Sequence, residues 1–523
     1  MYFWNLRSLE GAKRTLNSNA GFLLTVDFEA IYVYLGSSKV IAGTGSMEEF
    51  ATKNSNHLAE TLLSEVDKNR QSPKNTFEVA YPVDTSVQIT RLFEEYERTK
   101  KPIPVSFRKL VPWLKVGNRA THYIHPYPAK LFPQIAHFFL ASDLLAAGNA
   151  TVLDPFSGSG TVALETVLSG RSALYADKNP FARLITKAKT TPLDISILEG
   201  LLAKIHKYYK SSRYRTRPDV VNLELWYSEK KINSLIRLRK SIETICPENA
   251  MEHMLIVFSA TCKKVSNADP RFNVPVRLKE RNSNTGEREH VPNKFEDVWE
   301  VFEKLFRANL KRQHEFGHLY KKHMNVECVG NDARHLIDPK TNETLENESV
   351  ELIITSPPYA GAQKYIRSSS LSLGWLDLCK STELKNLEKE TIGREHFPKQ
   401  ISCNLTLTGV KPADRLLRKV YKINPLRACI ASFYIREMKA SMEEMFRVLK
   451  PGGHIVLVIG NNKICGYDFL SSDYLTELLA NFGAEILVSL VDSIPSRVLT
   501  TKRAKTASVI NTETVLVFRK PDN

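Results

Sequence analysis

The sequence predicts an α/β fold: a mostly parallel seven-stranded sheet with helices on both faces and large inserted segments. Three observations carry that expectation. From Thr151 onward, short apolar runs end in turn residues and are followed by helical stretches. A glycine-rich turn follows the first of these runs. Two stretches rich in Lys and Arg, each too long to be a connector, interrupt the pattern.

The expected strands, in order, are Thr151–Leu153, Ser172–Ala176, Val326–Val329, Val350–Thr355, His454–Ile459 and Glu485–Val491, with Thr514–Arg519 last. Each is a short, nearly continuous apolar run, as strands covered on both faces require. The interruptions run from about Asp194 to Met324 and from about Ile366 to Ile435. Upstream of residue 105 the chain is polar and mixed. Strand-like runs at Gly21–Val26 and Ala30–Leu35 precede a stretch, Ser46 to Arg70, that reads as helix plus loop.

A chain of 523 residues is too long for one simple core and implies several units, or one domain with insertions. Lys and Arg outnumber Asp and Glu by 73 to 57, a net charge of +16 that suits a polyanionic partner. No apolar run reaches the ~20 residues of a membrane helix. The N-terminal MYFWNLRSLEGAKR lacks a signal-peptide pattern. The seven cysteines are scattered without a CxxC pair and read as reduced thiols of a cytoplasmic protein. The thirteen histidines show no HExxH spacing; His122 and His125 lie close in sequence but suit a core position better than metal ligation, so no metal is expected.

The first motif, Thr151 to Thr161, reads TVLDPFSGSGT. Gly158 and Gly160 free the backbone for angles a side chain would block and let a ligand approach the main chain. Asp177, after the next strand, can accept hydrogen bonds from ribose hydroxyls. The spacing also fits a dinucleotide-binding turn. Asp154-Pro155-Phe156 discriminates: a carboxylate at the strand end can meet an ammonium group, which S-adenosylmethionine has and dinucleotides lack.

The second motif is Ser356-Pro357-Pro358-Tyr359, directly after the strand Val350–Thr355. Two prolines cannot continue a ladder, so they fix a stiff turn at the carboxyl edge of the sheet, where open α/β sheets bind ligands. The turn presents the Ser356 hydroxyl and the Pro357 carbonyl beside an aromatic ring. Two acceptors on the N–H groups of an exocyclic base amine would expose its delocalised lone pair, and Tyr359 would stack on a base turned out of the duplex.

Together the motifs resemble the S-adenosylmethionine-dependent amino DNA methyltransferases. His125-Pro126-Tyr127-Pro128-Ala129-Lys130 and the helix after it look like the family segment that closes over the methionine end of the cofactor. Gly330-Asn331-Asp332-Ala333 looks like its adenine-contacting turn, and Leu449-Lys450-Pro451-Gly452-Gly453 like the turn into its fifth strand. The resemblance implies a Rossmann-like methyltransferase with S-adenosylmethionine held by His125, Tyr127, Pro128, Lys130, Asp154, Pro155, Phe156, Gly158, Gly160, Thr161, Asp177, Asn179, Asp332 and Ala333. It places Ser356, Pro357, Pro358 and Tyr359 on the target base. Serine before the prolines is more usual in enzymes acting on cytosine N4, with adenine N6 open.

The implied organisation is an accessory segment 1–105, a cofactor half 106–194, a basic helical insertion 195–324, a catalytic half 325–365, a second insertion 366–435 and the remaining sheet 436–523. Either insertion can carry DNA recognition; the run His206 to Arg217 interleaves five Lys or Arg with three tyrosines. The implied partner is double-stranded DNA with a flipped target base, with a cognate restriction nuclease or defence-system subunit beside it and no membrane. The expected setting is bacterial or archaeal cytoplasm. An RNA base-amine methyltransferase, a nicotinamide-binding oxidoreductase and a non-catalytic DNA-binding subunit stay open as alternatives.

Overall fold

The computed structural model describes residues 14–17, 22–27, 30–35, 38–43 and 80–522, apart from 116–118, 129, 283–285, 296, 321–323, 361–363, 395–403 and 494–511. The stretch Ser46 to Arg70 lies outside them. The chain divides into two compact units at Phe77–Glu78. In the first, β1 (Arg14–Asn17), β2 (Phe22–Asp27), β3 (Ala30–Leu35) and β4 (Ser38–Gly43) form an antiparallel meander.

The second unit is built on β5 (Ile103–Val105), β6 (Thr151–Asp154), β7 (Ser172–Tyr175), β10 (Val326–Cys328), β11 (Val350–Thr355), β12 (Leu449–Ile459), β15 (Glu485–Ser493) and β16 (Thr512–Arg519). Their order is β10-β7-β6-β11-β12-β16-β15-β5. Only β16 runs antiparallel, between β12 and β15. Two exposed or short hairpins complete the described strands: β8 (Lys279–Arg281) with β9 (Arg288–His290), and β13 (Asn462–Ile464) with β14 (Tyr467–Phe469).

Side-chain alternation explains why the sheet is buried on both faces. Leu153, Ile353, Ile455, Leu457, Leu516 and Phe518 enter one core, with helices Pro425–Val448 and Ser471–Asn481. Their strand neighbours Val152, Leu352, Ile354, Val456, Val458, Val515 and Val517 enter the other, with helix Pro133–Leu140.

Two expectations need correction. The sheet has eight strands, because Ile103–Val105 adds to β15 at its edge; three residues are too few to show a period in sequence. The boundary expected at residue 105 falls at Phe77. Helix Ser86–Thr99 contributes Ile89 and Tyr96 to the same core as β15 and β16, so these residues belong to the large unit.

The first insertion is helical: Ile195–Ser211, Leu223–Trp226, Glu229–Ile245, Glu248–Val265 and Val298–Leu319. It is no separate lobe. One continuous apolar cluster joins Leu235, Phe258 and Phe302 of the insertion to Tyr127, Phe181 and Ile185 of the cofactor half and to Trp375 of the second insertion. No described helix is long and apolar enough to cross a membrane. Cys246, Cys262, Cys328, Cys379 and Cys465 are free thiols. Cys429 is disulfide-bonded, against the expectation of seven thiols; linear spacing does not reveal which Cα atoms come within bridging range.

Candidate active site

β6 and β11 are hydrogen-bonded neighbours, and the chain order reverses between them: β7 and β10 build outward on one side, β12 on the other. A crevice at the carboxyl end of such a switch point is the usual ligand site of an open α/β sheet. Because β6, β7, β10 and β11 are parallel, Asp154, Asp177, Asp332 and Ser356 all leave the sheet at that one edge.

The glycine turn is shaped by local sterics. Gly158 and Gly160 have φ of +49° and +70°. A Cβ on Gly160 would lie 2.8 Å from Thr186 Cα, so only glycine lets helix Thr161–Leu168 approach helix Pro180–Thr190 so closely. Ser159 and Thr161 pair through their hydroxyls at 3.1 Å. Pro155 is buried, and Phe156 packs on the sheet core.

A buried carboxylate, Asp154, and a half-buried one, Asp177, face this turn. Asp154 Oδ1 accepts from Thr355 Oγ1 at 2.7 Å and from Phe156 N at 3.1 Å. Burial pushes its carboxyl up to about 7 despite those bonds. Asp177 accepts from Gly158 N and Asn179 N, each at 2.8 Å; burial raises it to about 6. Asn179 caps the following helix through Phe181 N and donates to Ser369 Oγ at 3.0 Å.

The segment 123–130 divides its contacts. Tyr127 is buried, and its ring edge lies 3.7 Å from where a Cβ of Gly158 would stand; its hydroxyl meets Asn179 Nδ2 at 3.4 Å. Burial, with the Asp177 charge, holds its phenol well above the usual range. Pro128 is buried beside it. His125 and Lys130 are engaged elsewhere: His125 Nε2 pairs with Ser259 Oγ at 3.2 Å, and Lys130 Nζ donates to the His125 carbonyl at 3.0 Å. Ala129 lies outside the described residues.

Asp332 follows the turn at Gly330, φ +110°. Burial would raise its carboxyl, but Arg334, bonded through N, Nε and Nη2, holds it below the ordinary range. Ala333 is buried next to it. Lys178 lies 4.0 Å away and pairs with Glu390 at 2.5 Å. The second insertion therefore reaches over this edge. Its Gly393 also sits against the second motif: a Cβ there would be 3.1 Å from the Tyr359 carbonyl and 3.2 Å from Pro358 Cβ.

Ser356 and Pro358 are half-buried and Pro357 is buried at the exit of β11. Tyr359 donates its hydroxyl to Glu513 Oε1 at 2.8 Å. Burial and the Glu513 charge keep this phenol protonated far above neutral pH. Sequence reasoning missed Glu513. It opens β16, whose antiparallel run returns it to the carboxyl edge, opposite Asp492 of β15. Also missed was Glu165, fully buried one turn into the helix after the glycine turn. It binds Arg119 at 3.0 Å, His122 at 2.7 Å, His137 at 3.1 Å and Tyr81 at 2.7 Å. Among the described residues no group of three or more His, Cys, Asp or Glu is disposed to hold a metal.

No family model matches the chain. It is 26% identical over 416 residues to the type II methyltransferase M.MvaI of Kocuria varians, covering 75% of this chain and 88% of that one. It is 21% identical over 432 residues to the type II methyltransferase M.BsoBI of Geobacillus stearothermophilus, covering 71% and 80%. A solved S-adenosylmethionine-dependent methyltransferase from Methanosarcina mazei aligns at 10% identity with a TM-score of 0.27, over 76% of this chain and 100% of that one. The strand order itself is that of a Rossmann-like, mostly parallel α/β sheet. The two sequence likenesses support the resemblance to the S-adenosylmethionine-dependent DNA methyltransferases that the motifs carry.

Proposed function

We propose that this protein transfers a methyl group from S-adenosylmethionine to an exocyclic base amine in duplex DNA, namely N4 of cytosine within a specific sequence, as the modification part of a restriction–modification system. One observation carries the reading: Thr355 Oγ1 bonds Asp154 Oδ1 at 2.7 Å, stitching the glycine turn to the Ser356–Tyr359 turn across neighbouring strands. A donor site and an acceptor site built at those two turns would be adjacent.

The residues fit the donor. Buried Asp154 and half-buried Asp177 are desolvated carboxylates that a cationic ligand with ribose hydroxyls would compensate. A Cβ on Gly158 would fill the space up to the Tyr127 ring, 3.7 Å away, and the Phe156 carbonyl, 3.8 Å away, so the bare glycine keeps that space free. Asp154, Phe156, Gly158 and Gly160 would line the donor, Asp177 would take the ribose, and Tyr127 with Pro128 would cover it. Pro155, Thr161 and Asn179 shape the same turns, and Asp332 and Ala333 the adenine end. The donor supplies an electrophilic methyl when bound.

The chain's own residues supply position. Ser356 Oγ and the Pro357 carbonyl would accept the two N–H bonds of the target amine, and Tyr359, tethered by Glu513, would stack on the base. Serine can donate to a ring nitrogen as well as accept from an amine, whereas a carboxylate only accepts; that versatility favours cytosine. The two relatives' names support type II methylation, with a cognate nuclease as the partner that implies. In the first insertion Lys207, Lys210, Arg213 and Arg215 are exposed, which suits phosphate contact.

The test is to incubate the protein with labelled S-adenosylmethionine and plasmid DNA, then identify the modified nucleoside by mass spectrometry. N4-methylcytosine is expected. N6-methyladenine would replace the base and keep the class. Label in transfer RNA alone would overturn the DNA assignment.

A further inference from the structure

We propose that Lys130, Lys263 and Arg312 form a seat for a backbone phosphate of duplex DNA, where the segment 123–130 meets two helices of the first insertion. The proposal rests on the reading of the protein as a DNA methyltransferase and assigns one place where the duplex is held.

The geometry is a clamp. Asn309, on helix Val298–Leu319, donates its Nδ2 to the Ile124 carbonyl at 3.1 Å. Ser259, on helix Glu248–Val265, meets His125 Nε2 at 3.2 Å. Residues three and four apart share a helix face. Lys263 stands four residues after Ser259, and Arg312 three after Asn309, with its Nη1 bonded to Asn309 Oδ1 at 2.7 Å. Lys130 folds back from the other end of the segment, donating to the His125 carbonyl and lying 5.0 Å from the centre of the Tyr123 ring. Lys130 thus belongs to the strap, Arg312 is joined to it through Asn309, and Lys263 stands on the helix face that meets it, close enough for its field to act on His125 and Lys130.

Their charges are not neutralised locally. Among the described residues, neither Lys130, Lys263 nor Arg312 has a carboxylate within ion-pair distance, although Lys178, Lys187, Arg119 and Arg217 in the same unit all do. Glu315, one turn past Arg312, acts on Arg119. Burial and the fields of Lys263 and Arg312 together pull Lys130 down to about 8. Behind it, the Nζ of the wholly buried Lys189 has no hydrogen-bond partner among the described residues. Half-buried cations that repel one another cost stability; an external anion would offset that cost.

The choice of a duplex phosphate follows from the surroundings. Tyr123 is 43% exposed beside the cluster, so the seat opens to solvent and a polymer can reach it. Arg312 offers a planar fork and the two lysines point charges, a usual set for a phosphodiester. The same strap carries Tyr127 against Gly158, so the seat adjoins the donor site through its own backbone.

Full-length wild type, Lys130→Gln, Lys263→Gln, Arg312→Gln and Lys263→Arg would be titrated with a fluorescent duplex at several salt concentrations, and their donor affinity measured by calorimetry. Each Gln variant is expected to weaken duplex binding severalfold on any sequence and to flatten the slope of log affinity against log salt by about 0.9 for each phosphate no longer neutralised. Lys263→Arg should restore the slope, and Lys263→Gln should keep wild-type donor affinity. Unchanged slopes in all three Gln variants would overturn the seat. So would competition by inorganic phosphate that the variants abolish while duplex affinity stays intact. A wild type that binds donor but no duplex at any salt would instead remove the DNA reading beneath it.

Discussion

Ser356, Asp177 and Asp154 make separable predictions. Ser356→Ala should lower methyl transfer roughly 100-fold, the scale of one lost oriented hydrogen bond at a reacting centre, while calorimetric donor affinity stays near wild type. Asp177→Ala should weaken donor binding by about 1.5–3 kcal/mol, the worth of hydrogen bonds to a charged group, with no comparable loss once donor is saturating. Asp154 adds a pH signature. Its folded carboxyl titrates at about 7, above the ordinary carboxyl range. Between those values the folded state holds a proton that the unfolded chain has released, so its contribution to stability falls as pH rises through that window. A cationic donor selects the ionised form, so donor affinity should climb from pH 5 to about 7 and then level off. Asp154→Asn should remove the part of that climb near 7 and leave the part near 6 that Asp177 contributes; a flat wild-type profile would contradict the assignment. These residues were legible because a turn writes its needs locally: glycine where φ is positive, proline where a ladder must stop. Glu513 was not, since its partner Tyr359 lies 154 residues earlier and only strand pairing brings them together.

At the level of elements, the helix Thr161–Leu168 is held by a charge that the sequence disguises. TVALETVL reads as an apolar helix with one stray acid, yet Glu165 is fully buried. Burial alone would raise its carboxyl, but Arg119, His122 and His137 overcome this and hold it well below the ordinary range. His137 is fixed in turn by Trp113 Nε1, 3.3 Å from its Nε2, and by the Tyr81 ring stacked at 4.2 Å. Its partners lie 28 to 84 residues away in the chain, so no local pattern could announce them. Glu165→Ala should cost about 3–5 kcal/mol, because it strands a buried guanidinium; a denaturant midpoint unchanged from wild type would refute this. Gly160→Ala should also destabilise, through a left-handed φ and a 2.8 Å approach to Thr186, and should impair donor binding by displacing the turn. The central strands were readable from apolar runs because both faces are covered. Ile103–Val105 was not: a three-residue edge strand leaves too little pattern.

At the scale of the whole molecule, the +16 charge pointed to a polyanion, but the sequence could not say where it gathers. The insertion helices that carry Lys263 and Arg312 share a continuous core with Tyr127 and Phe181, so the basic surface and the donor turn stand on one rigid foundation. The sheet itself has a further consequence. β16 is later in the chain than every other described strand, yet it fills the slot between β12 and β15. While the ribosome is still reading toward codon 512, those two neighbours can present only open hydrogen-bonding edges, and Tyr359 has no Glu513 to hold it. Unfinished nascent chains should therefore be both catalytically silent and prone to sticking, so that base modification begins only after synthesis has passed residue 519.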